Sequence, residues 1–222
     1  VYNNIGLNLY YQGNIDSAME YHHKSLAIKE QINDKEGMGL SYGNIGLIFS
    51  SQDNYPQALD YYHKLLKIAE ELGNKHIMAR TFNNMGIVYF NQGDYSKAME
   101  YYQQSLGIRE KLMDKKGVTS CYNNLGLIFN NQGKNSLALE YYFKALKIRE
   151  ELMDKKGMAS SYNNIGLIYN DQGDYFSALE YYLKSLKICE EINNKTGVSA
   201  SLDNIGNIYA MQNDYFFALD YY

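Results

Sequence analysis

The sequence predicts an all-α fold, a right-handed superhelical solenoid built from antiparallel pairs of helices. The first observation is a period of forty residues that runs through the chain without slippage. The second is the helical spacing of apolar residues inside each unit, and the third is a single proline among 222 residues. So few prolines favour continuous helices with short turns, and a fixed period of this size is typical of stacked repeats.

The period is defined by columns of identical residues. Glycine returns at Gly6, Gly46, Gly86, Gly126, Gly166 and Gly206, and alanine at Ala18, Ala58, Ala98, Ala138, Ala178 and Ala218. We interpret residues 1–222 as one solenoid fragment. Its repeats span approximately residues 1–34, 35–74, 75–114, 115–154, 155–194 and 195–222, the first and last being incomplete.

Each repeat contains a first helix, which in the fifth repeat should run from about Lys155 to Asp171. Its large apolar residues are separated by four, three and four positions, at Met158, Tyr162, Ile165 and Tyr169. That spacing places them on one side of a helix.

A tight turn follows the first helix. Gly173 suits the left-handed conformation that closes a helix, and Asp174 suits the N-cap of the next one. Where the glycine is replaced, the substitutes Asp53 and Asn213 are residue types that tolerate this conformation. Asp154 is the expected N-cap of the first helix itself.

The second helix of the fifth repeat should run from about Tyr175 to Ile192. The residues expected on its inner side are Ala178, Tyr182, Ser185, Leu186 and Cys189. The lone proline, Pro56, falls in the first turn of a second helix, where no backbone donor is lost.

The recurring small residues have a steric explanation. A glycine inside a helix costs roughly 0.5–1 kcal/mol relative to alanine, so its return in every repeat requires a packing reason. Gly166 and Ala178 would leave room for Tyr182, whereas a phosphate-binding role lacks the glycine-rich motif that it needs. Of the adjacent pair Tyr181 and Tyr182, one should enter the core and the other should lie at the seam between repeats.

In order and spacing, the fifth repeat resembles the tetratricopeptide repeat pattern of aromatic-x2-Leu-Gly-x2-Tyr followed by Ala-x3-Phe. The matching residues are Tyr162, Ile165, Gly166, Tyr169, Ala178 and Tyr182. The period is about six residues longer than the usual ~34, and the usual proline near the end of the second helix is replaced by glutamate. These features resemble the long-repeat subgroup of kinesin light chains and Leu-Gly-Asn-repeat scaffolds, and bacterial sensor arrays attached to kinases and cyclases.

Asparagine occupies one column without exception, although it is a middling helix former. The column consists of Asn4, Asn44, Asn84, Asn124, Asn164 and Asn204, and a second amide precedes it at Asn3, Asn83, Asn123 and Asn163. One interpretation is structural, in which each amide bonds the backbone of a neighbouring helix and the column forms a ladder along the array. The other follows from the resemblance, which implies that the first helices line a concave groove where these amides hold the backbone of a bound peptide.

The resemblance also implies further groove positions. They are Arg80, Ser120 and Ser160, then Leu47, Ile87, Leu127, Leu167 and Asn207, then Ser50, Phe90, Asn130 and Asn170. This surface is mostly uncharged, and the lysines of a basic clamp are missing from it. We therefore expect a protein or peptide partner held by amides and apolar pockets, not a strongly charged tail.

Composition and motifs disfavour other classes of function. The net charge of −4 and pI of about 5.6 argue against nucleic acid binding, and no apolar run has the length of a membrane span. The two cysteines do not form a disulfide framework. No catalytic, metal or cofactor motif surrounds the four histidines, which we expect at the surface or at seams. The leading hypothesis is a non-catalytic interaction scaffold located in the cytoplasm.

A second hypothesis is a sensory or regulatory segment of a larger signalling protein, such as a kinase, a cyclase or a transcription regulator. The last helix carries apolar residues at Phe216, Phe217, Leu219, Tyr221 and Tyr222. Terminal repeats normally have a polar outer face. We therefore expect further repeats or an output domain to cover this helix, and we expect the chain to begin upstream of Val1.

Overall fold

The computed structural model describes residues 1–221, and within that range the chain forms helices and short turns without β-strands. The helices belong to two compact units, the first spanning Val1–Met113 and the second beginning at Asp114. The first unit contains α1 (Tyr2–Tyr11), α2 (Ile15–Gln31), α3 (Lys35–Ser51), α4 (Tyr55–Glu71), α5 (Lys75–Asn91) and α6 (Tyr95–Lys111). The second contains α7 (Lys115–Asn131), α8 (Asn135–Glu151), α9 (Lys155–Asp171), α10 (Tyr175–Glu191), α11 (Lys195–Met211) and α12 (Tyr215–Tyr221).

The predicted alternation of first and second helices is confirmed inside each unit. Each odd-numbered helix packs on the even-numbered helix that follows it, and α2, α4, α8 and α10 pack on the next first helix. In the fifth repeat α9 has the predicted bounds, while α10 ends one residue earlier than expected, at Glu191, with Ile192 as its C-cap. The prediction of a single array over residues 1–222 stays a prediction.

The turns inside the repeats have the predicted geometry. Gly173 has φ +77°, and its substitutes Asp53 and Asn213 have φ +57° and +63°. The carboxylates of the two predicted N-caps each accept a backbone N–H, Asp174 from Ser177 at 3.1 Å and Asp154 from Gly157 at 3.0 Å. Each cap therefore satisfies one of the unpaired donors at a helix start.

The turns that follow the second helices contain a feature that the sequence analysis missed. Met113 and Met153 adopt left-handed conformations with φ +54° and +53°, and both side chains are exposed. Asn33 and Asn193 hold the same place in other repeats with φ +51° and +54°. Asparagine tolerates this conformation better than methionine does, so two of the turns carry backbone strain.

The glycine and alanine columns lie where helices approach most closely. A Cβ atom added at Gly166 would lie 2.7 Å from Cε1 of Tyr182, whose side chain is buried with Ala178, Ile205 and Ile208. The corresponding rings Tyr62, Tyr102 and Tyr142 cover Gly46, Gly86 and Gly126 in the same way. The predicted steric reason for the glycine column is confirmed in these four repeats.

The first repeat places a histidine where the others have the core tyrosine. His22 is buried and lies over Gly6, where an added Cβ would be 2.9 Å from the ring. The expectation that all four histidines lie at the surface or at seams is therefore wrong for His22. The sequence contained the signal, because His22 stands forty residues before Tyr62 in the repeat register.

The other tyrosine of each pair lies at the edge of the core. Tyr181 is half-buried and stacks on Tyr169 with ring centroids 5.5 Å apart and planes 6° apart. It also meets Phe143 of the preceding repeat at 6.2 Å. Tyr182 enters the core and Tyr181 lies at the seam, as predicted. Of the apolar residues predicted on the last helix, Phe216 and Leu219 are both 74% exposed, and Tyr222 lies outside the described residues.

Candidate functional site

The predicted amide columns lie on the first helices at partly accessible positions. The half-buried asparagines are Asn44, Asn83, Asn84, Asn123, Asn124, Asn163, Asn164 and Asn204. They occupy α3, α5, α7, α9 and α11, in the middle of each helix. None of these side chains is sealed from solvent, which is a condition that a peptide-binding role requires.

In the second unit the two amide columns bond to each other across successive repeats. The Asn164 Nδ2 donates to Asn123 Oδ1 at 2.9 Å, and the Asn204 Nδ2 donates to Asn163 Oδ1 at 2.8 Å. We call these four residues the amide ladder. In each bond the donor belongs to the invariant asparagine column of one repeat, and the acceptor is the asparagine of the second column in the repeat before it.

The first unit has a different arrangement. The Asn3 Nδ2 donates to Ser41 Oγ at 3.2 Å, and Asn3 Oδ1 lies 3.0 Å from Nδ1 of His22. Gly43 has no side chain at the position that Asn163 occupies, so Asn84 cannot make the corresponding amide–amide bond. The ladder is therefore a property of particular repeats and not of the whole column.

The other predicted groove residues flank these amides. Ser160, Asn164 and Leu167 follow one another at helical spacing along α9, and Leu167 is 37% exposed. Arg80 is exposed on α5, whereas Leu127, Asn130 and Asn170 are half-buried. We call the side of the first helices that carries these residues and the asparagines the amide face, and each unit has its own amide face.

The amide face carries little charge. Arg80 is the single ionisable side chain among its predicted residues, and in the sixth repeat the exposed Asp203 takes the place of the second asparagine. Ion pairs within one helix lie on the second helices. Lys144 pairs with Glu140 and Lys184 with Glu180, each at 2.6 Å, as predicted from their spacing. The hydrogen bond that Lys184 Nζ donates to the Glu180 carboxylate raises the pKa of Lys184. These exposed pairs support the helix by about 0.3–0.5 kcal/mol each.

Within residues 1–221 no cluster of three or more His, Cys, Asp and Glu residues could hold a metal ion. No helix in that range is long and apolar enough to cross a membrane. Neither Cys121 nor Cys189 forms a disulfide, and both are buried.

The family model of the tetratricopeptide repeat matches residues 1–71, 37–111, 77–151 and 157–222. The chain belongs to the tetratricopeptide repeat family. No curated protein matches it by sequence.

Solved structures with the tetratricopeptide fold agree with this assignment. BtubC from P. vanneervenii superposes with a TM-score of 0.81 and 21% identity, covering 93% of this chain and 87% of BtubC. The apo form of RapI superposes with a TM-score of 0.75 and 20% identity, covering 100% of this chain and 79% of RapI. A signal transduction ATPase from Pyrococcus horikoshii with a tetratricopeptide repeat sensor superposes with a TM-score of 0.79 and 18% identity. The superposition covers 98% of this chain and 34% of the ATPase. Identities this low establish the fold alone.

The tetratricopeptide repeats contain one pattern that sequence reasoning did not identify, the pairing inside the amide ladder. Its two bonds join residues forty-one positions apart, one more than the repeat period. A shift of one residue on a helix turns a side chain by about 100°, so each asparagine of a pair points differently. The sequence signal for this pairing was the presence, in adjacent repeats, of two neighbouring asparagine columns whose side chains can both donate and accept hydrogen bonds.

Proposed function

We propose that this tetratricopeptide repeat chain is a non-catalytic interaction module that holds a peptide or helical segment of a protein partner against its amide faces. The observation that carries the proposal is the row of half-exposed, uncharged asparagines at equivalent positions of successive first helices. Cytoplasmic location is part of the same proposal.

The hydrogen-bonding capacity of the row supports a peptide ligand. An asparagine side chain offers two donors and two acceptor lone pairs, and each ladder bond uses one donor of Asn164 or Asn204 and one acceptor of Asn123 or Asn163. The remaining groups suit a peptide backbone, which presents one donor and one acceptor per residue. The ladder and the binding role are therefore compatible, since the ladder would orient amides that still have groups to offer.

The surroundings of the row define the partner further. Leu127 and Leu167 lie beside the amides and suit apolar side chains of a ligand, while the near absence of charge gives a charged tail little to pair with. Affinity would come from backbone hydrogen bonds and small apolar contacts. That chemistry favours an extended or helical peptide of low net charge.

The test is retention of a degenerate nonapeptide library by the immobilised chain. Asn44, Asn84, Asn124 and Asn164 are changed together to alanine, and Gln103→Ala, an exposed amide on a second helix, is the matched control. We expect the fourfold variant to lose about tenfold or more of the retention, as removal of several hydrogen bonds implies, with a modest loss of thermal stability. Unchanged retention with a large fall in melting temperature would instead mean that these asparagines have a structural role only.

A second candidate function, regulation of an output domain, is favoured by the signalling proteins among the similar solved structures. They include the apo form of the quorum sensor NprR from B. thuringiensis, with a TM-score of 0.70, 18% identity and coverage of 99% of this chain and 61% of that protein. Here the repeats would couple a bound peptide to an output domain elsewhere in a longer chain. The exposed Phe216 and Leu219 offer a surface that further repeats or such a domain would cover. The complete coding sequence tests this candidate, which requires a signalling or DNA-binding segment beside the repeats.

A further inference from the structure

The fifth repeat contains a cavity of about 200 Å³ that opens beside the amide ladder. It lies among α9, α10 and α11, and no charged side chain lines it. A cavity of this size exceeds by an order of magnitude the roughly 10–15 Å³ that one water needs. We call it the fifth-repeat pocket, and its lining includes Asn163, Asn164, Ser185, Cys189, Asn194 and Ser201.

The pocket is open because of one substitution in the second helix. In the fourth repeat the corresponding residue is Arg149, whose Nη1 reaches across to Ser161 Oγ at 2.6 Å and to the Gly157 carbonyl at 3.0 Å. In the fifth repeat that place is held by Cys189, which is 2% exposed and much shorter. The volume that an arginine side chain occupies in one repeat is therefore empty in the next.

The polar groups around the pocket are only partly used by the protein. Ser201 donates to Ser185 Oγ at 3.1 Å, and both side chains are buried. In the third repeat the equivalent Ser105 donates to the carbonyl of Ala79 at 2.7 Å. Among the hydrogen bonds of residues 1–221 Ser185 makes no such donation to Ala159, which lies across the pocket. The pocket thus presents a hydroxyl donor and a carbonyl acceptor, together with the amides of Asn163 and Asn164.

We propose that the fifth-repeat pocket binds the carboxamide side chain of an asparagine or glutamine in the partner peptide. The inference rests on the proposed function and names the chemistry of one ligand side chain. A carboxamide is neutral and carries both donors and acceptors, as the lining does. A charged group would lose its hydration without finding an opposite charge, and an apolar group would leave the lining unpaired.

Two positions of the second helix set the chemistry of each such pocket. From the first repeat to the fifth they hold Ser25 and Lys29, Leu65 and Ala69, Ser105 and Arg109, Ala145 and Arg149, and Ser185 and Cys189. Lys29 forms a 2.6 Å ion pair with Asp34, so the first repeat presents charge where the fifth presents neutral polar groups. We therefore assign Ser185 and Cys189 as residues that determine specificity.

The experiment compares two isosteric probes by NMR titration of the side-chain amides of Asn163, Asn164 and Asn194. Propionamide should shift these signals in a saturable way, and propionate should not. The variant Ser185→Ala/Cys189→Arg introduces the residue pair of the fourth repeat, and Gly197 and Ser201 stand where Arg149 finds its partners Gly157 and Ser161. It should abolish the propionamide response. Cys121→Ser changes the other buried cysteine to the residue found at Ser161 and Ser201, and it should leave the response intact. Equal shifts from propionate, or a response that survives in the double variant, overturn the proposal.

A second arm uses nonapeptide libraries in which the central residue is fixed as glutamine, glutamate or leucine. The glutamine library should be retained about tenfold better than the glutamate library, and the preference should disappear in the double variant. Equal retention of all three libraries would overturn the carboxamide proposal while leaving peptide binding standing. Retention of none would count against the proposed function as well.

Discussion

The steric explanation of the glycine column makes its sharpest prediction at Gly86. A Cβ atom added there would lie 2.6 Å from both Cδ1 and Cε1 of Tyr102, closer than carbon atoms approach in folded proteins. The tyrosine ring is 2% exposed and enclosed by packed helices, so it cannot swing aside into solvent. We expect Gly86→Ala to force α5 and α6 apart or push the ring off its preferred rotamer.

The same repeat provides a matched control. Gly107 also lies inside a helix, but a Cβ added there meets nothing within 4 Å. Both substitutions gain the roughly 0.5–1 kcal/mol by which alanine is preferred over glycine in a helix. Only Gly86→Ala suffers overpacking, which costs about 1–3 kcal/mol, so the two variants should differ by that amount. For a chain of this length about 2–4 °C corresponds to each kcal/mol, and the melting temperatures should differ by about 2–12 °C.

Thermal unfolding followed by circular dichroism measures this difference directly. Gly107→Ala should melt above the parent protein, and Gly86→Ala should melt well below Gly107→Ala. Changing Tyr102 to leucine should reduce the cost of Gly86→Ala, because the smaller side chain vacates the space. If both alanine variants raised the melting temperature equally, close approach would not be the reason for the glycine column.

Two further predictions concern single residues that depart from the repeat pattern. Met153→Asn should raise the free energy of unfolding by roughly 1 kcal/mol, because Met153 has φ +53° and Asn193 already occupies the equivalent turn at φ +54°; an unchanged or lower melting temperature would remove the strain argument. Burial, with a smaller contribution from His23, lowers the pKa of His22 below its usual 6.5. As the pH falls, His22 is therefore protonated in the unfolded chain before it is protonated in the folded one. The free energy of unfolding should decrease as the pH drops below about 6.5. Replacing His22 by tyrosine, the residue of the other repeats, should remove that part of the pH dependence, and His23→Gln should retain most of it; equal pH profiles for His22→Tyr and the parent protein would contradict this account.

The helices could be predicted from sequence because the same pattern of residues recurs in every repeat. Spacing, caps and turn residues agreed across six copies, so the bounds of α9 followed from Lys155 and Asp171 with little ambiguity. The exceptions were residues that differ from their column. His22 entered the core and Met153 adopted a left-handed turn because position in the repeat outweighed the usual preference of the residue type.

The candidate site was less predictable because it depends on contacts between columns. The sequence identified the asparagines, but we expected a structural ladder to bond helix backbones, whereas the observed bonds join two side-chain amides. The answer differs between repeats, since Asn164 meets Asn123 whereas Gly43 removes the partner of Asn84. The fifth-repeat pocket could not be predicted from the sequence for the same reason. It results from the short side chain of Cys189 at a place where three helices meet.

Constant and variable columns have opposite physical roles in this chain. Gly166, Ala178 and Tyr182 are held fixed by contacts at which one added carbon produces a clash, so these positions cannot differ between repeats without a cost in stability. The positions of Arg149 and Cys189 line a crevice whose filling is not required for the helices to pack, so their size and charge can change from repeat to repeat. Divergence at those positions gives each repeat a different surface beside the common row of amides for which we propose a peptide-binding role. Binding specificity in such a chain should therefore be altered by exchanging these residue pairs between repeats, with little change in the free energy of unfolding.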